Sequence, residues 1–167
     1  LEGYLFPETY FFTRSTKTEQ IVHAMLKNFR NIWTPQRYQR ARKLNLTPRQ
    51  VVTLASMIEK EASLPHERPL ISAVFHNRLR KNHKRACDPT VIYAIKLQKA
   101  YDGVIHRSDL LLDSPYNTYL YSGLPPGPIA NPGLESIDAA LHPSQVDYLY
   151  FVSRNNGSHV FSTKYRE

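Results

Sequence analysis

The stretch from Thr47 to Ala62, Thr-Pro-Arg-Gln-Val-Val-Thr-Leu-Ala-Ser-Met-Ile-Glu-Lys-Glu-Ala, is the clearest helix in the chain, and it carries its acids at one end. Thr47 caps it through its hydroxyl, Pro48 suits a first helical position whose N–H would be unpaired anyway, and Gln50 completes a capping box. At about 100° per residue, Val51, Leu54, Ala55, Ile58 and Ala62 form one apolar stripe, with Val52 and Met57 at its margins and Lys60 opposite. Other elements must cover that stripe, so the rest of the chain folds around it. Glu59 and Glu61 lie roughly 80° to either side of its middle, about 160° apart. They do not share one small substrate: at most one sits half-buried in a groove as an acid, while the other meets water or a structural partner. Rotation about the helix does not choose between them, and a solvated boundary residue is the ordinary reading of either.

A chain of 167 residues is long enough for one domain with a genuine core and short for two, so a single compact domain over 1–167 is expected. Its 22 Lys and Arg against 14 Asp and Glu give a net +8, which favours an anionic partner: nucleic acid, acidic glycan or an anionic envelope. Cys87 is the one cysteine, which rules out an intrachain disulfide and a multi-cysteine zinc site. No apolar run approaches the about 20 residues that span a bilayer, and the first residues lack a charged-then-apolar signal pattern. The chain as given therefore reads as soluble. It begins at Leu1 without a Met, and is expected to be part of something longer that also carries any targeting segment.

Leu1 to Phe12 is dense in aromatics and broken by Gly3 and Pro7, which predicts extended chain packed on a core. Helices are expected from Thr18, as cap, to about Trp33, over Pro35–Leu44, and from Pro65 to about Arg80 on the spacing of Leu70, Ile71, Val74, Phe75 and Leu79. The basic run Arg78 to Arg85 reads as a solvated helix end, whose cations complement the helix dipole. Asp88-Pro89-Thr90 has the cap-then-proline look of a further start, with Val91 to Leu97 following. Ser108 to Gly133 is a Pro/Gly-rich ordered loop. Its Tyr, Asn and Thr residues suit stacking on sugar faces and bonding their hydroxyls, or equally packing within the domain. A short helix covers Leu134–Leu141, and Tyr148–Ser153 with His159–Thr163 flank Asn155-Asn156-Gly157 as a hairpin. The fold class is thus α+β, predominantly helical, with a small C-terminal β-hairpin.

There is no phosphate-binding glycine loop, dinucleotide fingerprint or His-Glu-x-x-His pair, and the seven histidines show no metal spacing, His76 and His83 being merely near in sequence. No metal and no cofactor are expected. Cys87 beside Asp88 with a distant His142 lacks a nucleophile's signature, and a lone Cys is more often simply buried. A carboxylic acid working alone remains. To give a proton near neutral pH, a Glu needs its pKa lifted from about 4.3 towards 6 or 7, which apolar surroundings such as Leu54, Met57 and Ile58 supply for Glu61, and Val52 and Ala55 more weakly for Glu59.

The chain resembles the YceG-like endolytic murein transglycosylases. The resemblance is carried by Leu-Glu-Gly-Tyr-Leu-Phe-Pro-Glu-Thr-Tyr at 1–10, Ala-Ser-Met-Ile-Glu-Lys-Glu-Ala at 55–62, Val-Phe-His-Asn-Arg-Leu at 74–79 and Asp-Pro-Thr-Val-Ile-Tyr at 88–93. Tyr-Asn-Thr-Tyr at 116–119, Gly-Leu-Pro-Pro-Gly-Pro-Ile at 123–129, His-Pro at 142–143 and Tyr-Leu-Tyr-Phe-Val at 148–152 continue it in order over nearly the whole chain. It implies a lytic transglycosylase cutting the β-1,4 bond between N-acetylmuramic acid and N-acetylglucosamine within peptidoglycan strands. The second Glu of the family's Glu-Lys-Glu motif, here Glu61, is then the acid that protonates the leaving oxygen and afterwards the base that lets the muramic C6 hydroxyl close on C1. Such a reaction needs no second carboxylate, unlike ordinary glycosidases; a pair would require another partner, such as Asp88 or Glu2. Asp88, Thr90, Tyr116, Asn117 and Tyr119 are the groove candidates, followed by Glu2 and Asn77.

Two places depart from the family's pattern, one of three residues and one of a single residue. Arg85-Ala86-Cys87 stands where relatives commonly read Leu-Gln-Ser/Thr, removing an amide near the site, and Ala62 stands for a usual Thr. The resemblance also implies an N-terminal membrane helix and a LysM-like region outside this stretch, and hence work at the extracytoplasmic face of the bacterial cytoplasmic membrane beside peptidoglycan synthases. Two other readings compete. A peptidoglycan-binding module without catalysis would keep the aromatic loop and basic face; a nucleic-acid binder would account for +8 and the Arg78–Arg85 run, but no nucleic-acid partner is expected.

Overall fold

The computed structural model describes residues 1–165. The order is α1 (Thr18–Ile32), α2 (Pro35–Lys43), α3 (Pro48–Glu61), a 3-10 turn (Pro65–Glu67), α4 (Arg68–Arg80), α5 (Asp88–Gln98), a second 3-10 turn (Asp109–Leu111), α6 (Leu134–Leu141), β1 (Tyr150–Ser153) and β2 (His159–Ser162). It is a mostly helical domain ending in an antiparallel hairpin, in which Tyr150 pairs with Ser162 and Phe151 with Phe161.

The helix that opened the sequence is the centre of the fold. Gln50 N–H donates to Thr47 Oγ1 at 3.2 Å and Thr47 N–H to Gln50 Oε1 at 2.8 Å, so the capping box forms as its residue types require. Every residue from Val51 to Ile58 is buried. The single stripe expected from periodicity is therefore an underestimate: α2, α4, α5 and α6 all pack on α3, and its two polar members are satisfied locally. Thr53 Oγ1 donates to Arg49 O at 2.9 Å and Ser56 Oγ to Thr53 O at 2.7 Å.

Ser56 also anchors the proline-rich loop, accepting from Ile129 N–H at 3.0 Å. That loop in turn holds the N-terminal segment. Asn131 Oδ1 accepts from the N–H groups of Gly3 and Leu5 at 2.7 and 3.2 Å, and Gly3, at φ +88°, lies so close that a Cβ would come within 2.3 Å of Pro128 Cγ. The segment packs as expected through buried Phe6, but Phe11 is 94 % exposed and Tyr10 stacks on Phe12 outside the core. Two helix starts differ from expectation by one residue: Lys17 and Cys87, rather than Thr18 and Asp88, occupy the cap positions of α1 and α5. Asp88 falls in the first turn of α5 without capping it, which leaves its carboxylate for other partners.

Candidate active site

The two acids at the end of α3 part as their rotation requires. Glu59 turns to α6: its Oε2 accepts from the Gly133 N–H at 3.0 Å, at the helix's start, and its Oε1 lies 3.9 Å from Arg68 Nη2. Arg68 is held further by Glu135 at 2.9 Å and Ser136 at 3.2 Å. Glu59 is thus a structural carboxylate.

Glu61 turns the other way, into a recess roofed by the start of α5. It is partly exposed, so a ligand can reach it. Its carboxyl is lifted from 4.5 to about 7, first by burial and secondly by the nearby negative charge of Asp88; the Cys87 thiol, His159 and Arg78 pull the other way. Cys87 is itself fully buried, and burial together with the Glu61 carboxyl beside it pushes its thiol up, so it stays a protonated donor. A buried carboxyl near 7 can exist in both protonation states at neutral pH, as one group acting first as acid and then as base must.

Asp88 stands exposed at the mouth of this recess and accepts a hydrogen bond from the Tyr119 hydroxyl. Burial and that bond hold the Tyr119 phenol well above its usual range, so it remains a donor. Glu61, Asp88 and Tyr119 are therefore brought together. Tyr116 packs on Tyr93, their ring centroids 4.7 Å apart, and Tyr93 donates to Glu2 Oε2 at 2.5 Å.

The other candidates hold the walls. Thr90 is completely buried, donating to Cys87 O at 2.7 Å and lying 2.8 Å from Thr118 Oγ1. Asn117, equally buried, donates to the carbonyls of Leu110 and Leu112 and accepts from the Tyr119 N–H at 3.0 Å, which sets the tyrosine's place. Asn77 is not in the recess: its amide donates to Val146 O and Tyr148 O, both at 2.8 Å, and supports the chain leading into β1.

Two residues that the sequence reading did not place at the site, Arg78 and His159, lie near enough to act on Glu61, and each brings a buried partner, Arg85 and Glu67. Arg78 does not lie in a solvated helix end; it turns inward, donating to Leu149 O at 2.6 Å and to Arg85 O, with its guanidinium 5.3 Å from the centroid of the Tyr150 ring. Arg85 is buried too, and burial beside Arg78 lowers it to about 10. Glu67 and His159 form a pair, buried on both sides, that ties β2 to the turn after α3: His159 N–H donates to Oε1 at 2.9 Å and its Nδ1 lies 2.6 Å from Oε2. No local motif marks these contacts, which join segments far apart in sequence. Among the described residues there is no group of three or more His, Cys, Asp or Glu able to hold a metal ion.

The profile of the YceG-like family matches residues 1–167. The chain is 45% identical over 168 residues to an endolytic murein transglycosylase of Bacillus subtilis, covering 100% of this chain and 46% of that protein. It is 37% identical over 158 residues to one from Streptococcus pneumoniae, covering 92% and 28%. The chain thus spans less than half the length of these curated relatives. A crystal structure of a yceG-like protein from Listeria monocytogenes superposes with a TM-score of 0.84 at 40% identity, covering 97% of this chain and 51% of that one.

Proposed function

The chain belongs to the YceG-like family, and from that premise we propose that it is the catalytic part of a lytic transglycosylase, cutting the β-1,4 bond between N-acetylmuramic acid and N-acetylglucosamine inside peptidoglycan strands. The observation that carries this reading is the placement of the Glu61 carboxyl beside the buried Cys87 thiol and the exposed Asp88, where burial lifts it to about 7. Glu61 gives its proton to the glycosidic oxygen as the C1–O4 bond breaks. As a carboxylate it then takes the proton of the muramic C6 hydroxyl while O6 bonds to C1, leaving a 1,6-anhydro end and a restored acid. One positioned acid/base contributes about 10² to 10⁴ in rate. Tyr119 and Asp88, joined at the mouth, offer a donor and an acceptor to sugar hydroxyls, and Tyr116 offers a ring face; Thr90 and Asn117 fix the frame. The substrate puts this reaction on the outer side of the cytoplasmic membrane, where synthases lay down new strands. No helix among the described residues is long and apolar enough to cross a membrane.

Purified sacculi digested with the chain should release anhydro-ended muropeptides by mass spectrometry, and Glu61→Gln should release about 10² to 10⁴ times less while melting at no lower temperature. Failure of the unchanged chain to release fragments would leave only a wall-binding module. One observation favours a second reading. Asp88 stands close enough for its charge to raise the Glu61 carboxyl, and it would serve as the second carboxylate that hydrolytic glycosidases require. Digestion in ¹⁸O-water separates the two: hydrolysis leaves labelled, hydrated reducing ends, and transglycosylation leaves unlabelled anhydro ends.

A further inference from the structure

Beyond the Glu61 recess, a second cleft of about 570 Å³ runs along one face of α5. It begins beside the proposed site, for Lys60 precedes Glu61 and Pro89 follows Asp88, and it continues past Ile92 and Tyr93 to Lys96 and Leu97. At about 1.5 Å rise per helical residue, the wall from Pro89 to Leu97 is about 12 Å long, which admits three or four extended residues at about 3.3 Å each. Its charges are ordered. Lys60 stands at the Glu61 end, Glu2 in the middle, fixed by the Tyr93 hydroxyl at 2.5 Å, and Lys96 at the far end, one turn beyond Tyr93. The wall carrying Glu2 is held in place by the bonds from Gly3 and Leu5 to Asn131. Among the described residues neither lysine enters an ion pair. The Tyr93 ring is already packed on Tyr116 at 4.7 Å and its hydroxyl is taken, so the cleft lacks the free aromatic face that a sugar would use. Its floor of Ile92 and buried Ile129 suits small aliphatic side chains.

We propose that this cleft seats the peptide stem attached to the muramic acid, a short peptide carrying a carboxylate, an amine and a carboxylate in turn. The proposal rests on the reading of the chain as a peptidoglycan-cleaving enzyme. L-Ala-γ-D-Glu-L-Lys-D-Ala has this pattern: the α-carboxylate of its second residue meets Lys60, the amine of its third meets Glu2, and the terminal carboxylate meets Lys96.

The test compares kcat/KM on glycan strands bearing this tetrapeptide with kcat/KM on strands stripped of it by an amidase. Three exposed charge pairs should give the unchanged chain a preference of about five- to thirtyfold for the stem-bearing strands. The double variant Lys60→Ala/Lys96→Ala should bring that ratio down to about twofold, the share left to Glu2, by lowering the stem-bearing value. A ratio left intact in the double variant, or both values falling together, would overturn the proposal. Should the unchanged chain cleave neither substrate, the enzymatic reading itself fails, and an NMR titration with the free tetrapeptide still decides the cleft. Shifts centred on Lys60 and Lys96 uphold it; shifts elsewhere, or none, sink it.

Discussion

Glu61 shows how one residue acquires a working pKa from its surroundings. Burial raises its carboxyl from 4.5 to about 7, and Asp88 adds to that shift. The proton is therefore favoured by folding, and the sign of the linkage follows: this stabilising contribution is fully present below about 4.5 and is lost as pH rises through about 7. Glu61→Gln, neutral at every pH, escapes the loss. Its melting temperature should match that of the unchanged chain near pH 4 and exceed it at pH 8, the gap corresponding to about 3 kcal/mol, while activity falls by about 10² to 10⁴. Scanning calorimetry across pH checks the first and muropeptide release the second; a constant gap would mean that the carboxyl titrates normally. Cys87 offers a finer adjustment. A hydroxyl is a stronger donor than a thiol, so Cys87→Ser should favour the carboxylate and move the alkaline limb of kcat/KM down by about half a unit to one unit, the equivalent of one modest hydrogen bond.

At the scale of elements, Asn77 and Arg78 hold the β1 side of the hairpin, and one buried pair, Glu67 with His159, ties down β2. Burial opposes charge on Glu67, but the two hydrogen bonds from His159 outweigh it and hold the carboxyl below 4.5. The stability this pair contributes is present above that value and lost as pH falls through the lowered one. Glu67→Ala leaves the ring nitrogen and N–H of His159 buried without partners, which should cost about 2–4 kcal/mol. Hydrogen exchange should show residues 150–162 losing protection before α3 does. The hairpin itself was legible in the sequence, because Asn155 and Gly157 sit at φ +61° and +83° where their types are favoured. The α3 capping box was legible for the same kind of reason. The pair was not, since Glu67 and His159 are 92 positions apart and neither stands in a local pattern. Arg78 misled in the opposite direction: a run of cations reads as solvated until Leu149 O and the Tyr150 ring are known to lie beside it. The proposal of Glu61 over Glu59 rests on the family resemblance and is supported by the Gly133 N–H at the cap of α6, which takes Glu59.

For the whole molecule the net charge of +8 acts at a distance, unlike the contacts around Glu61. With Arg78 and Arg85 turned inward, the basic run still presents Arg80, Lys81, His83 and Lys84 to solvent. Such charges draw in an anionic wall from a range set by the screening length, about 30 Å at 0.01 M salt and about 10 Å at 0.1 M. The proton transfer proposed for Glu61 would take place over a few ångströms inside a recess that salt hardly screens. Salt should therefore separate capture from chemistry: between those two concentrations KM for sacculi should rise several-fold while kcat stays level. Initial rates over a range of sacculus concentrations give both. A kcat that falls in step with capture would mean that exposed cations act on the bound sugar itself, and the separation between a long-range basic surface and a buried single acid would have to be abandoned.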